Sequence, residues 1–134
     1  YLKNFKETKN IINLGPQLVE DCPKLYNSID AMFLPTLLET FSASYPEAMI
    51  MERPIITSNL DFAHDICGEA ALYFDPLDGY DIANKIKTII TDPLLYEDLV
   101  EKGKQRLKKF ETSRSRAEKY LKCCEEIIKS NVES

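Results

Sequence analysis

Four short, almost unbroken apolar runs constrain this chain most: residues 11–14, 31–35, 54–58 and 70–74. Each has the length of a strand, and none alternates apolar with polar residues. That pattern suits parallel strands covered on both faces. Helical segments separate most of the runs, so the sequence predicts an α/β fold. A helix is expected over 23–28. Asp78 can cap another, whose apolar stripe is Ile82, Ala83, Ile86, Ile89 and Ile90. Asp92 followed by Pro93 marks a further start, for a helix running to about Lys109. Ser113 is expected to cap the last helix, about 113–130, with Ala117, Tyr120, Leu121, Cys124, Ile127 and Ile128 at helical spacing. That stripe has to pack on something. Residues 1–10 read as the polar end of a helix.

Composition narrows the class. The chain has 134 residues with 44% hydrophobic and 29% charged, which suits one core and excludes a disordered or collagen-like chain. No apolar run approaches the roughly 18 to 20 residues that cross a bilayer, and no charged segment with an apolar one opens the chain. Net charge is −5, with seven Lys and Arg against fourteen Asp and Glu in residues 1–96. So acidic a body excludes a broad nucleic-acid surface, which needs clustered cations. Cys22, Cys67, Cys123 and Cys124 have neither metal-ligand spacing nor a disulfide framework, and read as reduced thiols in the cytoplasm.

The chemistry lies in residues 34–49. A buried strand ends near Pro35, a loop holds Glu39, and a helix follows. Ser44 with Glu47 three residues later reads as a capping box, with Pro46 in the first turn. This order puts Glu39 beyond the carboxyl end of a parallel strand and Glu47 in a first helical turn, where open α/β sheets bind ligands. Both carboxylates are expected to face one crevice. The backbone N–H groups of Phe41, Ser42 and Ala43 precede the helix and favour an anion such as a diphosphate.

At these residues the chain resembles the donor-binding half of retaining glycosyltransferases of the GT-B fold, the glycosyltransferase group 1 (family 4) class. The likeness rests on Glu39 and Glu47, an E-x7-E pattern, inside Pro35-Thr-Leu-Leu-Glu39-Thr-Phe-Ser-Ala-Ser-Tyr-Pro-Glu47-Ala-Met49. Its flanks agree in order: Asn13-Leu14-Gly15, Leu25-Tyr26, Ile29-Asp30, Pro54 to Asn59, Asp65 to Pro76, Asp78 and Phe110. The resemblance implies a Rossmann-like parallel sheet with flanking helices, the C-terminal half of a GT-B fold lacking its first strands. Residues 1–134 would be a single, incomplete nucleotide-sugar donor-binding domain.

The resemblance also implies roles. Glu47 would accept the ribose hydroxyls, Glu39 would act as the catalytic carboxylate at the transferred sugar, and Thr40, Phe41, Ser42 and Ala43 would line the diphosphate. The donor would be a UDP- or GDP-linked hexose, with no metal and no further cofactor. The acceptor would be a glycan or lipid-linked sugar, bound by an N-terminal domain absent from this chain. Assembly of bacterial surface polysaccharide, in the cytoplasm or at the inner face of the membrane, is the setting it suggests. Alone, the chain is expected to be inactive.

Where many members have Gly, this chain has Thr40 and Ser42, and Arg53 before the strand-opening Pro54. In the family's strand order two strands stand between 11–14 and 31–35. The first run is therefore expected to pair directly with the second, or the open edges to associate between chains. An epimerase-like protein of the same fold and a non-catalytic interaction module stay open as alternatives. Lys102, Lys104, Arg106, Lys108 and Lys109 read as a solvated helix face, with an anionic membrane surface as the other reading. His64, the one histidine, reads as a polar surface residue near Asp65.

Overall fold

The computed structural model describes residues 10–132. Three strands form one parallel sheet in chain order: β1 (Met32–Leu34), β2 (Ile55–Ser58) and β3 (Ala71–Phe74). The register pairs Met32 with Ile55 and Leu34 with Thr57, then Ile55 with Ala71 and Ser58 with Phe74. All four residues of the central β2 are buried, so its run has no polar phase. Successive side chains enter opposite layers. Ile55 joins a core with Tyr26, Tyr45, Met49 and Cys67, while Ile56 joins another with Phe74, Ile89 and Leu99.

The helices are α1 (Cys22–Asn27), α2 (Ser44–Ile50), α3 (Asp61–Cys67), α4 (Gly79–Thr91), α5 (Pro93–Leu107) and α6 (Ser113–Val132). Asp78 caps α4 by accepting from the N–H groups of Tyr80 (2.8 Å) and Asp81 (3.3 Å). Asp92 caps α5 through Leu95 N–H at 3.0 Å, and Pro93 stands in its first turn. The expected α4 stripe is narrower than its sequence suggests: Ile82, Ile86 and Ile89 pack on the second core, while Ile90 stays exposed. Helix α5 crosses α2 closely at Gly103, where an added Cβ would stand 3.4 Å from Met49 Cγ.

Several expectations need correction. Residues 11–14 form no strand and do not pair with β1; Ile11, Ile12 and Leu14 are exposed. Asn13 Oδ1 accepts from Gly15 N–H at 2.9 Å, and Gly15 has φ of 66°, so the run enters a turn instead. A strand needs a ladder neighbour, and this run has none among the described residues. The last helix is capped by Thr112, whose hydroxyl accepts from Ser115 N–H at 3.1 Å, and Ser113 is already its first helical residue. Its apolar stripe does not pack on the body: Tyr120, Leu121, Ile127 and Ile128 are each exposed. No helix among the described residues is long and apolar enough to cross a membrane. The expected helix end over residues 1–10 lies, but for its last residue, outside the described residues.

Candidate functional site

The carboxyl end of β1 opens into a loop over 35–43 that leads into α2. This loop carries Glu39 and the four neighbouring residues assigned to a diphosphate. Glu39 is half-buried, and its Oε1 accepts from Thr40 N–H at 3.2 Å. Phe41 is held by an edge-to-face contact with Phe110, centroids 6.5 Å apart, which ties the loop to the turn between α5 and α6. Tyr45 N–H donates to Ser42 carbonyl at 3.3 Å and Glu47 N–H to Ala43 carbonyl at 3.0 Å, so the helix begins there. Among the described residues, no protein acceptor takes the N–H groups of Phe41, Ser42 or Ala43.

The capping box read from Ser44 and Glu47 does not form. Ala43 is the N-cap and offers no side-chain bond, and Ser44 is already helical. The Glu47 carboxylate turns elsewhere: its Oε2 accepts from the Tyr26 hydroxyl at 3.2 Å. Tyr26 is buried, and its hydroxyl also lies 3.4 Å from Ser44 carbonyl. Burial above all, then the charge and hydrogen bond of Glu47, push the Tyr26 phenol up to about 12. The phenol therefore stays a neutral donor at any ordinary pH.

A second tyrosine underlies the loop. Tyr45, fully buried, lies 2.8 Å from Thr57 Oγ1, and Thr57 donates to Leu34 carbonyl at 3.1 Å. Burial raises the Tyr45 pKa, opposed by the Thr57 hydrogen bond, with the Glu39 charge adding a small push upward. Tyr45 and Glu47 are two residues apart on a helix, so one points inward and the other out.

The two carboxylates do not share one described cavity. Glu47 and Tyr26 line a hollow of about 220 Å³ with Val19, Cys22, Pro23, Ile50 and Met51; Glu39 does not reach it. A larger hollow, about 620 Å³, lies away from the loop, around Glu52, Arg53, Tyr96 and Lys104 at the amino end of β2. The smaller hollow lies between α1 and α2. Ligands of open parallel sheets bind beyond the carboxyl ends of strands, and there Leu37, Asn59, Leu60, Asp75, Pro76 and Leu77 line a separate hollow of about 350 Å³.

Arg53 belongs to the scaffold: its Nε donates to Tyr26 carbonyl at 2.8 Å, at the end of α1. The position that calls for glycine is Glu52, one residue earlier, with φ of 56°. His64 sits on α3 with its ring stacked on Tyr73 at 3.9 Å and its Nε2 2.6 Å from Asn59 Oδ1. The sequence reading missed Tyr26 as the partner of Glu47. Its signal was the Leu25-Tyr26 pair ahead of β1, a hydroxyl-bearing aromatic on a helix entering the core.

A parallel α/β sheet flanked by helices, with a carboxylate-bearing loop and helix after its first described strand, is a Rossmann-like arrangement. The family of glycosyl transferases group 1 matches residues 1–92, which takes in both carboxylates and all three strands. The chain belongs to that family. It is 33% identical over 91 residues to the capsular polysaccharide biosynthesis glycosyltransferase CapM of Staphylococcus aureus, covering 66% of this chain and 24% of that protein. Its fold is similar to that of sucrose-phosphate synthase from Thermosynechococcus elongatus, with a TM-score of 0.69 and 22% identity over 79% of this chain and 27% of the other. The chain thus spans about a quarter of the length of each.

Proposed function

We propose that this chain is the donor-binding part of a retaining glycosyltransferase that moves a hexose from a UDP- or GDP-sugar to a glycan or glycolipid acceptor. Glu47 accepts the two vicinal ribose hydroxyls. The N–H groups of Phe41, Ser42 and Ala43, with Thr40 beside them, receive the diphosphate. Glu39 lies against the transferred sugar, where a fixed negative charge stabilises an oxocarbenium-like transition state more than the neutral ground state. The acceptor and the rest of the cleft come from a partner domain, so residues 1–134 alone bind donor without turning it over. Capsule or related surface polysaccharide assembly is the setting, by likeness to the named relative, and the cytoplasmic side is where this reading puts the chain.

The observation that carries this reading is the position of Glu47. It is in the first turn of α2, after the carboxyl end of β1, on the rim of the 220 Å³ hollow. The test is thermal stability with UDP, GDP and their hexose conjugates. One of them is expected to raise the midpoint, and Glu47→Ala to remove the rise. A chain indifferent to all of them is an interaction module, and the reading falls. Transfer, tested with the partner domain supplied, separates a transferase from an epimerase.

A further inference from the structure

An exposed glutamate has three rotatable bonds and points nowhere in particular, yet accepting from two adjacent hydroxyls demands a fixed carboxylate. The Tyr26 hydroxyl supplies the constraint. Its single proton has two acceptors in reach, Glu47 Oε2 at 3.2 Å and Ser44 carbonyl at 3.4 Å, and the nearer and charged one takes it. Oε1 of Glu47 has no protein partner among the described residues and remains free to accept.

The donor itself is firmly seated. The Tyr26 ring is buried in the first core, and Arg53 holds its carbonyl at 2.8 Å. The bond joins α1 to α2 across 21 residues, and both partners line the same hollow.

We infer that Tyr26 is a positioning residue for nucleotide binding: its hydroxyl orients Glu47, so that the carboxylate meets the ribose in one geometry. This rests on the proposed role of Glu47. A hydroxyl that acts through that carboxylate has an effect only where the ribose hydroxyls are there.

The experiment measures dissociation constants by calorimetry for UDP and GDP and for their 2′,3′-dideoxy counterparts. Wild type, Tyr26→Phe, Glu47→Gln and the double variant are compared, with urea midpoints alongside. Tyr26→Phe keeps the buried ring. It is expected to weaken the ribonucleotide about three- to tenfold, the worth of one hydrogen bond, and to leave the dideoxy compound unchanged. The double variant is expected to bind no worse than Glu47→Gln alone.

If Glu47→Gln weakens the ribonucleotide and Tyr26→Phe does not, the role of Glu47 stands and this inference is overturned. Equal weakening of both compounds by Tyr26→Phe means that the tyrosine shapes the hollow rather than the carboxylate, which also overturns it. If wild type binds neither nucleotide, or Glu47→Gln changes nothing, the donor-site reading fails first and the inference with it.

Discussion

The Tyr45 hydroxyl lies 2.8 Å from Thr57 Oγ1, and both side chains are fully sealed from solvent. Thr57 has one proton and gives it to Leu34 carbonyl at 3.1 Å, so Tyr45 must be the donor to Thr57. This short relay fastens the first turn of α2 to the carboxyl ends of β1 and β2, beneath the loop that carries Glu39.

Cutting the relay at its two ends is not equivalent. Tyr45→Phe removes a donor but leaves Thr57 bonded to Leu34, and is expected to cost about 1 kcal/mol. Thr57→Val strands the Tyr45 hydroxyl in the core, at about 2 kcal/mol, while the Leu34 carbonyl keeps its place in the β1–β2 ladder. Urea denaturation of the two variants gives the comparison. Equal midpoints would mean that Thr57 does not bridge the two.

Helix α2 ends in a Schellman turn with the wrong residue at its hinge. Arg53 N–H donates to Ala48 carbonyl at 2.9 Å and Glu52 N–H to Met49 carbonyl at 3.2 Å, leaving Glu52 at the left-handed position with φ of 56°. A side chain there costs about 1 kcal/mol that glycine avoids. Its exposed pair with Lys104, at 3.0 Å, gives back only a fraction. Glu52→Gly is therefore expected to raise the urea midpoint by the equivalent of about 0.5–1 kcal/mol. A loss of stability would show the Lys104 pair to be the stronger effect.

Stability is expected to fall on the alkaline side. Burial pushes the Cys67 thiol up from 9.0 to about 12 and the Tyr26 phenol from 10.0 to about 12, and raises Tyr45 and Tyr73 as well. Above pH 9 the unfolded chain loses protons that the folded chain keeps, so the native state is progressively disfavoured until pH passes about 12. Midpoints measured from pH 8 to 11 are expected to decline, beginning near 9. Cys67→Ala is expected to flatten the slope between 9 and 10, whatever it does to the absolute value.

Much of the frame was legible because it is local. The runs at 31–35, 54–58 and 70–74 became parallel strands, since a short run without apolar–polar alternation suits a strand between two layers, as the fully buried β2 does. Asp78 and Asp92 became caps because a short acceptor ahead of a helix finds its own N–H groups. The same pattern at 11–14 misled, because apolarity marks a run that can be buried and does not supply the neighbour that buries it. Ser44 and Glu47 misled for the opposite reason: the spacing of a capping box was present, but a donor 21 residues earlier took the carboxylate.

By itself, then, the sequence determined the α/β class, three of its strands, two of its caps and the order of residues that places Glu39 and Glu47 around the first turn of α2. Tertiary structure alone decided that Glu47 turns to Tyr26, that Glu52 rather than Arg53 takes the left-handed turn, and that the stripe of α6 stays uncovered. Strand and cap signals are written within a few neighbouring residues. A carboxylate's partner, a helix's hinge and a stripe's cover depend on which distant segments meet, and no local pattern specifies that.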